Sequence, residues 1–227
     1  MLLAGQALVL LVISWQVAVD GPLLGVDRVV RRAVRVTRHG LSSALLNHLG
    51  ELLSDLGGSV PAVSVLLGVG ALAAWRARRA GAVRWWPPLP GAVLTAGLIP
   101  LLVVPAKAWF ARPGPFGLPL APEQWGWYPS GHTTTASVAY GAAALLLGRT
   151  VDERARRPLY AGAALLSLGV GLGLVWSDYH WLLDVVAGWC IAGLLLPALA
   201  RLYRAASVPR GPRPAGPPGG PGGAPVA

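Results

Sequence analysis

The chain predicts an all-α membrane protein: a bundle of six transmembrane helices, with an amphipathic helix lying in the interface between spans 1 and 2. Three observations carry that reading. Of 227 residues, 54% are hydrophobic and only 12% are charged, about half the charged share of a soluble domain. The apolar residues gather in runs near the ~20 residues that cross a bilayer. The basic residues sit between those runs. Eighteen Arg and a single Lys give a net charge of +10, which by itself would suit a nucleic-acid binder. Their clusters, at 28–38, 76–84, 149–157 and 201–213, are separated by long apolar stretches, a pattern of loops flanking membrane helices rather than of one basic face. No nucleic-acid partner is expected.

Residues 2–19 form the first apolar run. No Lys or Arg precedes it and no small-x-small cleavage site follows, so it reads as a retained helix. Residues 21–57 are mixed. Within them, 26–38 places Val26, Val29, Val30, Ala33 and Val34 against arginines at helical spacing, the pattern of an interfacial helix. Further spans are expected at about 59–75, 91–109, 131–148, 159–177 and 181–200. Their Gly and Pro are better tolerated in a membrane helix than in a soluble one. Residues 1–206 make one membrane domain. Residues 207–227 are mostly Pro, Gly and Ala with two Arg, too poor in apolar side chains to fold, and are expected to be disordered. The single cysteine, Cys190, lies in an apolar run and excludes an intrachain disulfide.

Short basic loops stay in the cytoplasm. The clusters at 76–84, 149–157 and 201–213 are therefore expected inside, and the 110–130 and 177–180 segments outside. The 28–38 cluster falls outside on this topology. Anionic lipid headgroups against an interfacial helix would account for it.

Polar residues at span ends need a reason, and three groups converge on the predicted outer side. The first is Lys107 with Arg112 and Pro113. The second is Pro129-Ser130-Gly131-His132, and the third is His180 with Asp184. His180 and Asp184 stand at i,i+4, on one helix face. A carboxylate there accepts from one imidazole nitrogen and raises the basicity of the other, an arrangement for a His nucleophile. Ser130 and Gly131 open a helix whose free amides favour an anion. Lys107 and Arg112 add positive charge, and His132 supplies a second imidazole to protonate a leaving oxygen. Simpler roles compete with these: snorkelling for the two cations, N-capping for Ser130, an aromatic belt for the surroundings of His180. Together the groups describe phosphoryl transfer through a phosphohistidine with no metal and no cofactor.

These three elements resemble the signature motifs of the type 2 phosphatidic acid phosphatases, the PAP2 superfamily. It also holds bacterial undecaprenyl-pyrophosphate and phosphatidylglycerophosphate phosphatases and the vanadium haloperoxidases. The resemblance, to the integral-membrane bacterial branch, covers roughly residues 1–203. It implies His180 as nucleophile, Asp184 as its orienting carboxylate and His132 as general acid. It implies Lys107, Arg112, Ser130 and Gly131 as phosphate ligands. It further implies a multi-pass plasma-membrane protein, its active site facing outward, with a lipid phosphate or pyrophosphate as substrate. The first and third motifs diverge. Where the family carries Arg in the first motif this chain has Gly114, and where it carries Ser-Arg in the third it has Gly173-Leu174. An alternative therefore stays open, a non-catalytic lipid-phosphate binder or flippase-like protein of the same fold. The sequence names neither the lipid nor the oligomeric state.

Overall fold

The computed structural model describes residues 1–121 and 123–207, so the expectation of a disordered tail at 207–227 falls almost wholly outside the described residues. The described chain is helical: α1 (Leu2–Ala18), α2 (Leu24–Leu41), α3 (Ala44–Leu56), α4 (Ser59–Arg79), α5 (Pro88–Phe110), α6 (Gly131–Gly148), α7 (Glu153–Trp176) and α8 (Leu182–Ser207). Among the described residues four helices, α4, α5, α7 and α8, are long and apolar enough to cross a membrane, and α1 is a shorter apolar helix. The chain is a multi-pass membrane protein.

α6 is the hub, packed against α4, α5, α7 and α8. Its run of small residues, from Thr133 through Ala144, lets neighbouring backbones approach closely, the packing mode of membrane bundles. Ala136, Ala139 and Ala142 on α6 meet Leu66 of α4, Ile99 of α5, Val170 of α7 and Val185 of α8 in one core. α6 is not among the four described helices long and apolar enough to cross a membrane. Two of its polar side chains tie it to neighbours: the Ser137 hydroxyl meets that of Ser167 on α7, and Tyr140 donates to the Leu56 carbonyl at 2.7 Å.

The 21–57 region holds two helices where the sequence suggested one. α2 extends the expected 26–38 segment at both ends. α3 starts at Ser43, whose hydroxyl accepts from the Leu46 amide at 3.3 Å, an N-cap of ordinary type. α3 lies along α7. α2 reaches the turn after α7: Arg31 forms a two-pronged pair with Asp178, at 2.7 and 3.1 Å, and Arg38 donates to the Trp176 carbonyl. α1 packs on α8, and Ser14 bonds the buried Tyr128 hydroxyl at 2.7 Å.

The C-terminus of α5, the N-terminus of α6, the C-terminus of α7 and the N-terminus of α8 meet at one end of the bundle. At the opposite end Arg76 donates to the Thr150 carbonyl and Arg156 to that of Gly148. Arg149 and Arg204 line a cleft there with Arg156.

Candidate active site

Lys107 lies in the last turn of α5. The chain leaves that helix through Ala111, in a left-handed backbone (φ 44°), and returns at Gly126. The Gly126 amide donates to the Lys107 carbonyl at 3.2 Å. The Lys107 Nζ donates back to the carbonyls of Gly126, at 2.8 Å, and Trp127, at 3.5 Å. A Cβ on Gly126 would stand 2.6 Å from the Arg112 amide nitrogen and 2.8 Å from the Lys107 oxygen. Only glycine allows this backbone contact, and the contact aims the ammonium.

α6 begins with Ser130 as N-cap, its hydroxyl accepting from the Thr133 amide at 3.2 Å. The Ser130 amide donates to the Asp184 carbonyl at 3.0 Å, joining the first turns of α6 and α8. The amides of Gly131 and His132 have no acceptor within their own helix, as in any first turn. They carry the positive end of the helix dipole.

His180 sits in the turn between α7 and α8, its amide bonded to the Leu174 carbonyl at 3.3 Å. Its Nδ1 lies 3.3 Å from Asp184 Oδ2, and Nε2 is the ring nitrogen turned away from that carboxylate. The rings of His180 and His132 are 6.5 Å apart between centroids and tilted 56° to one another. Burial pushes the His180 imidazole below its ordinary value of 6.5; Asp184 opposes that shift without cancelling it. Above that lowered value the ring is neutral, the form a nucleophile needs.

A cavity of about 600 Å³ is lined by Lys107, Gly131, His132, Thr135 and His180, with Val63, Ile99, Val103, Val104 and Trp125 among its apolar wall residues. Lys107, Gly131, His132 and His180 are thus brought together at one surface. Asp184 stands behind His180, fully buried. Ser130 is buried under the first turn of α6, capping it. Arg112 lies outside the cavity lining. Its two arms reach Asp184 Oδ1 at 2.5 Å and Asp27 Oδ2 at 2.6 Å, and it lies 5.4 Å from the Trp181 ring centroid. Both carboxylates claim the guanidinium that the motif spacing assigned to phosphate. Asp27 escaped sequence reasoning. As an acid among arginines on an amphipathic helix, it carries no local signal of burial.

The divergent positions have packing reasons. A Cβ at Gly114 would fall 2.7 Å from the Trp127 ring, and one at Gly173 would fall 2.7 Å from the Gly50 carbonyl oxygen of α3. Leu174 is buried in the main core. Trp127, α3 and the core fill the places where larger side chains would stand. Gly173→Ala should therefore destabilise the protein by about 1–3 kcal/mol, read as a lowered unfolding temperature in detergent. A neutral result would mean that α3 and α7 separate easily.

The family model of the PAP2 superfamily matches residues 88–207, just over half the chain and the stretch from α5 to α8. A curated protein of Bacillus subtilis (strain 168), phosphatidylglycerophosphatase B, is 30% identical over 106 residues, which is 46% of this chain. The chain spans about half the length of that relative (52%). The crystal structure of a transmembrane PAP2-type phosphatidylglycerolphosphate phosphatase from Bacillus subtilis superposes with a TM-score of 0.74. It is 22% identical, with 89% of this chain and 96% of that one covered. At that identity the superposition speaks to the fold. The family match, the curated relative and the shared fold agree, and the chain belongs to the PAP2 superfamily.

Proposed function

We propose that the chain is a metal-independent lipid-phosphate phosphatase working through a phosphohistidine. One observation carries the reading. Two imidazoles and a lysine share one cavity with the free amides of a helix start, and the remaining wall is largely apolar. Such a cavity suits a phosphate on an apolar chain that enters sideways from the bilayer. The Bacillus relative named as a phosphatidylglycerophosphatase favours a glycerolipid phosphate. A prenyl phosphate or pyrophosphate fits the same chemistry.

Lys107 and the amides of Gly131 and His132 bind the phosphoryl oxygens. His180 Nε2 attacks phosphorus, forming a P–N bond as the bond to the leaving oxygen breaks. Protonated His132 gives that oxygen its proton. Asp184 holds Nδ1–H and stabilises the positive charge that develops on the ring. Neutral His132 then takes a proton from water, which attacks the phosphohistidine. The P–N bond breaks, inorganic phosphate leaves and both imidazoles return to their starting forms.

The same reading makes α1, α4, α5, α6, α7 and α8 the six spans of a catalytic unit over residues 1–206. The arginine-rich end lies in the cytoplasm, as positive loops prefer. The site then opens on the outer face of the plasma membrane, where α2 sets its arginines against anionic headgroups.

The test is phosphate release from a panel of glycerolipid and prenyl phosphates by protein in detergent, with and without EDTA. The account expects turnover that EDTA leaves unchanged. The alternative, a non-catalytic lipid-phosphate binder, draws support from Arg112, committed to two carboxylates. It expects saturable binding with no release from any lipid. The acid limb of kcat/KM, set by protonation of His180, should lie below pH 6.5, since burial lowers that imidazole. A limb above pH 6.5 would assign the titration to another group.

A further inference from the structure

Asp27 is the only acid of α2, a helix otherwise rich in arginine. It is 1% exposed. An ionised carboxylate is costly to bury unless it is paired, and Asp27 is paired twice. Its Oδ1 accepts from the Leu183 amide at 2.9 Å, and its Oδ2 accepts from Arg112 at 2.6 Å. The second arm of Arg112 donates to Asp184 Oδ1 at 2.5 Å, and Asp184 Oδ2 faces His180 Nδ1 at 3.3 Å. Four buried side chains therefore run in an unbroken line from α2 to the cavity.

We infer that Asp27 is a positioning residue for His180, acting through Arg112 and Asp184; the inference rests on the reading that His180 attacks phosphate. Two features of the line give Asp27 this role. The first is charge. Arg112 shared between two carboxylates leaves the group with a net charge of −1, available to the ring as positive charge develops on it. With Asp27 neutral, Arg112 would cancel Asp184 and that charge would fall to zero. The second is geometry. Two anchors on one planar guanidinium fix its orientation, and one anchor leaves it free to swing toward an anion in the cavity. Asp27 also holds the amide of Leu183, the residue before Asp184, so one carboxylate fixes both the backbone and the side-chain partner of Asp184. Charged or titratable groups facing His180 are Asp184, Lys107, Arg112 and His132. Asp27 is not among them, so its influence travels by way of Arg112.

The experiment compares wild type with Asp27→Asn in detergent, on whichever lipid phosphate the wild type hydrolyses. The expected result is a fall in kcat of about 3- to 30-fold, the range for residues that act through others. KM and the inhibition constant of inorganic phosphate should stay within about twofold of wild type, well inside that range. The acid limb of kcat should move to lower pH, because a less negative surrounding disfavours the imidazolium. In an Arg112→Gln background, Asp27→Asn should cost nothing further. Full activity in Asp27→Asn, multiplicative losses in the double variant, or a rise in KM at unchanged kcat would each overturn the inference. If Asp27→Asn does not fold, Arg112→Lys takes its place, since one ammonium does not reproduce the two-armed bridge. A fall in kcat at unchanged phosphate inhibition supports the inference. Weakened inhibition at unchanged kcat makes Arg112 a phosphate ligand and overturns it. Absence of turnover in wild type would sink the phosphatase reading and this inference with it. Turnover in wild type beside an equally active Asp27→Asn sinks the inference alone.

Discussion

His180→Ala should abolish phosphate release, with a loss of at least about 10⁴-fold. Removing a nucleophile that works as a unit with its partners costs about as much as removing the unit. The bound phosphate would keep Lys107 and the amides at the start of α6, so substrate affinity should survive. That split separates the chemical role from a structural one. His180 lies in a turn rather than within a helix, and alanine there removes no buried ion pair from Arg112. A variant that folds, binds the lipid and releases no phosphate is the expected outcome, read by product release and by equilibrium binding on one preparation. Release near the wild-type rate would remove His180 from the mechanism.

Asp184→Asn should have the second largest effect, lowering kcat by roughly 10³- to 10⁴-fold. An amide holds the imidazole in the wrong tautomer and gives no charge to the developing imidazolium. This position carries a structural load as well. Asp184 is fully buried and accepts from Arg112 and from the Trp181 amide, at 2.5 and 3.4 Å. Neutralising it leaves Arg112 with Asp27 alone, and breaking one side of a buried pair costs about 3–5 kcal/mol. Lower kcat and a lower unfolding temperature should therefore appear together. Loss of stability at unchanged kcat would make Asp184 a purely structural residue.

Much of this architecture is legible in the sequence because a bilayer imposes a simple code. Span length, apolar content and loop arginines mark α4, α5, α7 and α8 directly. The start of α6 is marked by Pro129-Ser130-Gly131-His132, where the N-cap and the glycine have local physical reasons. The juxtaposition of Lys107, His132 and His180 is legible through motif spacing, since each falls at a helix end on the same side of the bundle.

What stayed hidden is what depends on packing between distant segments. Arg112 reads as a phosphate ligand from its neighbours in the chain. Its partners come from α2 and α8, and no periodicity announces that Asp27 is the residue of α2 that faces them. Gly114 and Gly173 read as losses from a motif. Only the Trp127 ring and the Gly50 carbonyl, each 2.7 Å from where a Cβ would stand, show why glycine belongs there. α3 was obscured for a similar reason: its apolar residues match no full span and are explained by the surface of α7.

On the proposed mechanism, phosphate passes through a covalent bond to His180. The most direct measurement is to quench a reaction of the protein with ³²P-labelled lipid phosphate in alkali and locate the label by peptide mapping. The expected result is an acid-labile, alkali-stable phosphoryl group on the peptide containing His180, present in wild type and lost in His180→Ala. Steady turnover with no label on that peptide under rapid quenching, or the same label in His180→Ala, would contradict it.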